Sequence, residues 1–139
     1  MHEFFKIFAL LFCISLGGPA SAQDRFDSGR YKGFIKSPTE QVIVELERPF
    51  EVRSIRGLIT DHIGYPMPDV LFEVRNPTTG KVFTTHTDHH GRFKMSSLPA
   101  GTYSFKARRS GFQSVTGRIV VSKKADRKAI IKIEMPLGV

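Results

Sequence analysis

After residue 22, every apolar run in this chain is short, and turn-forming residues interrupt the runs at near-regular spacing. Residues 52–60 end at Asp61-His62-Ile63-Gly64, residues 70–75 at Asn76-Pro77-Thr78-Thr79-Gly80, and residues 81–87 at Asp88-His89-His90-Gly91. Residues 92–95 lead to Leu98-Pro99-Ala100-Gly101. Residues 102–108, 112–121 and 128–135 follow, the last two divided by a basic turn over 123–127. No window of twelve or more residues in this region has helical periodicity. Short strands with a turn every ~8–12 residues specify an all-β sandwich or barrel and exclude a helical domain.

Side chains alternate between the two faces of a strand, so the inward set can be named. Tyr103, Phe105 and Ala107 alternate with Ser104, Lys106 and Arg108, and Val70, Phe72 and Val74 alternate with Leu71, Glu73 and Arg75. Phe93 and Met95 oppose Arg92 and Lys94. Ala129, Ile131, Ile133 and Met135 oppose Lys128, Ile130, Lys132 and Glu134. The first-named set of each strand is predicted to form one apolar layer between two sheets. Asp61 and Asp88 stand where a carboxylate closes a turn on backbone N–H groups. Gly64, Gly91 and Gly101 stand where a hairpin needs positive φ. Gly57, inside a strand, implies a bulge or close packing against the facing sheet. Tyr103 is placed to pack its ring inward and bond its hydroxyl to the backbone.

The chain ahead of this pattern divides in two. Residues 1–22 read as a secretory signal peptide. Lys6 supplies the positive start, 7–16 the apolar stretch, Gly17-Gly18-Pro19 the break, and Ala20-Ser21-Ala22 the small-residue cleavage site. The apolar stretch is far shorter than the ~20 residues that span a bilayer, so no transmembrane span is expected after cleavage. Cleavage after Ala22 leaves 117 residues and removes Cys13, the single cysteine, so the exported chain has no disulfide or thiol chemistry. Residues 23–51 read as an N-terminal extension. One strand is predicted over 40–48, where Val42, Val44 and Leu46 alternate with Ile43, Glu45 and Glu47 before Pro49 stops it. Residues 52–139 form the domain proper.

The turns and strands together resemble a known family. Ile55-x-Gly57-x-Ile59-x-Asp61, then Gly64-x-Pro66-x-Pro68-x-Val70, is similar to the opening of carboxypeptidase regulatory-like domains. Thr87-Asp88-x-x-Gly91-x-Phe93, Leu98-Pro99-x-Gly101-x-Tyr103, Gly111-Phe112, Val120-Val121 and Ile131-x-Ile133-x-Met135 continue the likeness in order. The resemblance covers about residues 53–136. It implies a seven-stranded, Ig-like or prealbumin-like antiparallel β-sandwich, here with a signal peptide and one extra strand in front. It also implies a non-catalytic module, since the domain accompanies the catalytic domain of some metallocarboxypeptidases and recurs in bacterial secreted and outer-membrane proteins.

Reactive motifs are sparse. The densest cluster, His86-Thr87-Asp88-His89-His90, carries ligand types suited to Zn²⁺ or Cu²⁺. Alternation, however, sets His86 on a strand face while His89 and His90 fall at a hairpin tip. The cluster therefore reads as an exposed His-rich turn, and His86, Asp88, His89 and His90 remain candidates only, with no metal or cofactor assigned. There is no G-x-S-x-G, H-E-x-x-H, phosphate loop or nucleophilic cysteine. The chain ends Glu134-Met135-Pro136-Leu137-Gly138-Val139, without the Tyr-Arg-Gly-Ser ending of the hydroxyisourate hydrolases that share this sandwich. No catalytic residue is assigned, and a small transthyretin-related hydrolase is the least favoured reading.

Charge is the remaining signal. The net charge is +8, and residues 57–139 hold thirteen basic against six acidic residues, a net of +7. Lys106, Arg108, Lys128 and Lys132 fall on outward strand positions, joined by Arg109 and by Lys123 and Lys124 in a turn. These seven residues are candidates for meeting polyanions. A nucleic-acid site would interleave stacking aromatics, which this pattern lacks, so none is expected. The chain reads as a non-enzymatic module, secreted or held in the periplasm or cell envelope. It would scaffold or bind there through an envelope protein or an anionic glycan or lipid surface. The alternative is a carbohydrate-binding module using Tyr31, Tyr65 or Phe112, weakened by the absence of tryptophan.

Overall fold

The structure, a computed structural model, describes Phe34 and residues 43–138. The predicted signal peptide, Cys13, Tyr31 and the first residues of the predicted extra strand lie outside the described residues. Among the described residues nine strands follow one another: β1 (Ile43–Glu45), β2 (Phe50–Val52), β3 (Arg56–Asp61), β4 (Leu71–Arg75), β5 (Val82–His86), β6 (Arg92–Lys94), β7 (Gly101–Arg108), β8 (Ser114–Val121) and β9 (Ile131–Met135). One sheet runs in the order β1-β8-β7-β4-β5 with β2 also on β8, and a second runs β6-β3-β9. Among the described residues no helix is long and apolar enough to cross a membrane.

The sandwich is not purely antiparallel. β3 pairs parallel with β9, and both β1 and β2 pair parallel with β8. Adjacent runs joined by tight turns must be antiparallel, whereas parallel neighbours need a long connection. β3 and β9 are separated by all the strands between them, so turn spacing could not reveal their pairing. The extra strand is also two pieces. Glu45 pairs with Thr116 and Phe50 with Ile119, so Leu46 to Pro49 bulge out opposite Gly117 and Arg118. Val52 thereby belongs to β2 rather than to the first strand of the sandwich.

Both sheets direct their predicted apolar sets inward. Val70, Phe72, Val74, Phe105, Ala107, Ile131 and Met135 have no accessible surface. Aromatic rings span the sandwich: Phe93 stacks on Phe72 at 4.2 Å between centroids, Phe72 on Phe105 at 5.4 Å, and Phe50 tilts against Phe105 at 5.9 Å. The loops are closed by side chains. Asp61 Oδ1 accepts from the backbone N–H of Ile63 and Tyr65, and Asp88 Oδ1 accepts from those of His90 and Arg92. Gly64, Gly91 and Gly101 all take positive φ. Tyr103 donates its hydroxyl to the Pro99 carbonyl at 2.6 Å. Thr87 does more than its place in the pattern suggested. Buried, it donates to the Met67 carbonyl at 2.6 Å and accepts from the Val70 N–H at 2.9 Å, tying the loop before β4 to the end of β5.

On the large sheet an outward phase does not mean exposure. Lys106 does point away from the sandwich interior, but it is only 3% exposed, and its register neighbours Glu73 and Thr116 have no accessible surface. The centre of the large sheet's outer face is therefore buried. Glu73 stands directly opposite Lys106 across β4 and β7, an opposite-charge pairing of the kind that favours sheet formation. A buried ammonium offers nothing to a polyanion, so Lys106 leaves the set of surface candidates.

Candidate functional site

The three-stranded sheet presents a different outer face. In β3, Gly57 and Ile59 are buried while Arg56 is exposed and Leu58 and Thr60 are half-buried. In β6, Arg92 and Lys94 flank buried Phe93, and in β9, Lys132 and Glu134 alternate with buried Ile131, Ile133 and Met135. The register aligns these residues in rows. Arg56 stands directly opposite Lys94, and Leu58 has Arg92 on one side and Lys132 on the other. Side chains directly opposite have Cβ atoms about 4.5–5.5 Å apart, and diagonal ones are about 7–8 Å apart. Four cations thus share one small exposed surface, with Glu134 the one carboxylate on the outward positions of these strands.

Beside these rows lies a cleft of about 550 Å³. Arg56, Arg92 and Lys94 line one side, Thr85 and His86 from β5 and Asp88 from the following turn line another, and Leu58, Phe93 and Ile130 supply apolar surface. Thr85 fixes the junction of the two sheets by donating its hydroxyl to the Lys94 carbonyl at 3.3 Å. Arg56 donates to the Arg127 carbonyl at 3.0 Å, which draws the 122–130 loop, with exposed Lys123, Lys124 and Lys128, towards this face.

Asp88 is held as an anion at the rim. The Arg92 N–H is the chief cause of its lowered pKa, with the His90 N–H and the nearby His90 and His89 rings acting in the same direction. A carboxylate whose folded pKa is depressed stabilises the fold above its unfolded pKa, and that contribution disappears as pH falls through the folded value. Asp88→Ala is therefore expected to lower the urea midpoint at pH 7, with the gap to the parent protein closing as pH falls below the ordinary carboxylate range. A gap that stayed constant down to pH 2 would show that the carboxylate's charge plays no part.

The structure divides the sequence candidates. Lys132 lies on the cationic face, and Lys123, Lys124 and Lys128 lie in the loop that Arg56 holds beside it. Arg108 is half-buried on the large sheet, with its Nε buried and without a hydrogen-bond partner among the described residues. Arg109 sits 5.8 Å from the Phe112 ring centroid, and Phe112 is itself half-buried. Arg108 thus lies on the other sheet from Lys132, and Arg109 lies in the β7–β8 turn, whose Gln113 N–H bonds the Pro136 carbonyl just after β9. The His89 and His90 rings lie 4.0 Å apart at the exposed turn, while His86 stands at the end of β5. Among the described residues no three His, Cys, Asp or Glu side chains group as a metal site. Arg56, Arg92 and Lys94 were missed as candidates. Alternation shows that Arg92 and Lys94 point outward, but nothing in it says that β6 lies beside β3.

With fold and face defined, the sequence pattern of the carboxypeptidase regulatory-like domain matches residues 54–135, more than half of the chain. The chain belongs to that family. In this carboxypeptidase regulatory-like domain, β1 and β2 precede the matched region, and the cationic strands β3, β6 and β9 lie within it. The family is one of non-catalytic β-sandwich modules. Among solved structures, the chain is similar to the Bacillus anthracis TIE protein at 20% identity and TM-score 0.51, over 62% of this chain and 16% of that one. That likeness concerns the fold alone. A 3-chlorocatechol 1,2-dioxygenase from Rhodococcus opacus aligns at 14% identity and TM-score 0.46, over 76% of this chain and 69% of the enzyme. No curated protein matches the chain closely enough to count as a relative.

Proposed function

We propose that this chain is an exported, non-enzymatic binding module of the cell envelope that meets anionic polymers or surfaces through the outer face of β3, β6 and β9. The observation that carries the reading is the gathering of Arg56, Arg92, Lys94 and Lys132 on one exposed sheet face. Like charges directly opposite on neighbouring strands destabilise a sheet, so the Arg56–Lys94 pairing works against the fold and calls for a compensating anion. The Lys123, Lys124 and Lys128 loop extends the field past one end of the face. Export is supported by the signal-peptide pattern of residues 1–22. Glycans and lipid head groups suit this face better than nucleic acid, because its outward positions carry Leu58 and Thr60 and no stacking aromatic.

Charge reversal tests this directly. Arg92→Glu with Lys94→Glu is expected to weaken binding to a sulfated glycan at least tenfold at low salt, with parent binding itself falling as salt screens the face. Arg48→Glu with Lys81→Glu changes the net charge equally at exposed positions off the face and is expected to have little effect. Equal losses in the two double variants would show that net charge alone governs binding, and the face would lose its role.

A further inference from the structure

The cleft at the edge of the cationic face has a shape and lining that a flat electrostatic patch does not need. We propose that it seats a single phosphomonoester group, with the carbon skeleton of the ligand lying on Leu58 and Ile130; this rests on the polyanion reading of the same face and narrows it. Arg56, Arg92 and Lys94 form a triangle, one edge a directly opposed pair and another two residues along β6. Arg56 gives Nη2 to the Arg127 carbonyl and keeps its other N–H donors, so an oxyanion over that triangle would meet guanidinium N–H groups of Arg56 and Arg92 and the Lys94 ammonium. Guanidinium forks match the planar spacing of phosphate oxygens, and the ammonium adds a point charge. Three cations lining one cleft favour a group carrying about −1.5 to −2 at neutral pH over a sulfate ester carrying one charge.

The rest of the cleft is consistent with a small organic ligand. Its volume of about 550 Å³ falls within the span of roughly 300–1,000 Å³ common to such sites. Leu58 is half-buried and Ile130 is 36% exposed, so both offer apolar surface to a sugar ring or glycerol backbone. Asp88, the acid in the lining, is engaged by the His90 and Arg92 N–H groups through Oδ1. Thr85 is anchored to the Lys94 carbonyl, so the wall it forms is tied to the strand that carries one of the three cations.

The test is an amide NMR titration of the full exported chain with glucose 6-phosphate, glucose 6-sulfate, glucose and inorganic phosphate. Saturable shifts confined to residues 56–58, 85–88, 92–94 and 130 are expected for glucose 6-phosphate, with the sulfate ester at least tenfold weaker and glucose silent. Leu58→Ala is expected to weaken glucose 6-phosphate severalfold while leaving inorganic phosphate unchanged. Arg92→Met is expected to weaken both at least tenfold. Phosphatidylcholine vesicles doped with phosphatidic acid, compared with vesicles doped with phosphatidylglycerol, separate the sources. Selective sedimentation with phosphatidic acid alone assigns the group to a lipid, and soluble sugar phosphate binding assigns it to a free ligand. Equal affinity for phosphate and sulfate esters, or shifts centred on residues 123–126 rather than on the cleft, would overturn the cleft as a phosphomonoester seat. If the chain holds sulfated glycan but neither phosphate source, the cleft proposal alone fails. Loss of glycan binding in the parent protein would remove the wider reading as well.

Discussion

Phe72→Ala is expected to destabilise the protein by about 3–5 kcal/mol, read as a lower urea midpoint with unchanged m-value. Phe72 has no accessible surface and lies between two other rings, Phe93 at 4.2 Å and Phe105 at 5.4 Å. Phe93 comes from the three-stranded sheet, while Phe72 and Phe105 come from the large one. Truncation would therefore open a cavity where the two sheets meet and remove an aromatic contact on each side. Neither sheet can close the gap without moving against the other, so little relaxation should relieve the loss. A cost below about 1 kcal/mol would mean that the sheets slide together freely, and the ring stack would not then be the element that fixes their spacing.

Gly57→Ala should be comparably severe, at about 3 kcal/mol, for the opposite reason. A Cβ at this position would meet the Ile131 carbonyl oxygen of β9 and two ring carbons of Phe93 at 2.8 Å. One obstacle is backbone and the other is a ring held in the aromatic stack, so neither side yields cheaply. The strand would have to leave one neighbour, and β3 is the central strand of its sheet. Because Gly57 lies between Arg56 and Leu58, the same change should also disturb the cationic rows. Thermal melting, with amide shifts of Arg56, Leu58 and Lys94 as a second readout, would check both effects. A variant that kept its melting temperature and its shifts would show that β3 has room the packing denies.

Much of the fold was legible because period-two alternation is a local property. Tyr103, Phe105 and Ala107, and likewise Ile131, Ile133 and Met135, are buried as their alternation requires. Asp61 and Asp88 close turns as their positions suggested, since an Asx-turn involves only residues a few places apart. Gly57 was rightly read as a point of close packing, although the neighbours are β6 and β9 of its own sheet rather than the facing sheet. What alternation cannot report is whether the second face of a strand is covered. Lys106 and Lys132 occupy equivalent outward phases, yet one is buried and the other exposed. Nor can it report which strands become neighbours. Arg56 and Lys94 meet only because β6 folds back onto β3, and the parallel pairing of β3 with β9 brings Lys132 alongside. The candidate site is thus a product of topology. Its charges were visible in the sequence, but their convergence was not.

The broken strand ahead of the family domain bears on how the protein behaves in a crowd. β1 and β2 occupy the flank of β8, which would otherwise be an eight-residue row of backbone donors and acceptors open to any passing strand. Their own outer flank is a poor template in turn. It is two three-residue pieces separated by a bulge that contains Pro49, with Glu45, Glu47, Arg48 and Glu51 exposed along it. Short length, charge, proline and bulging are the devices that stop edge-to-edge association of sheets. The segment therefore guards the β8 edge against zipping onto a strand of another copy.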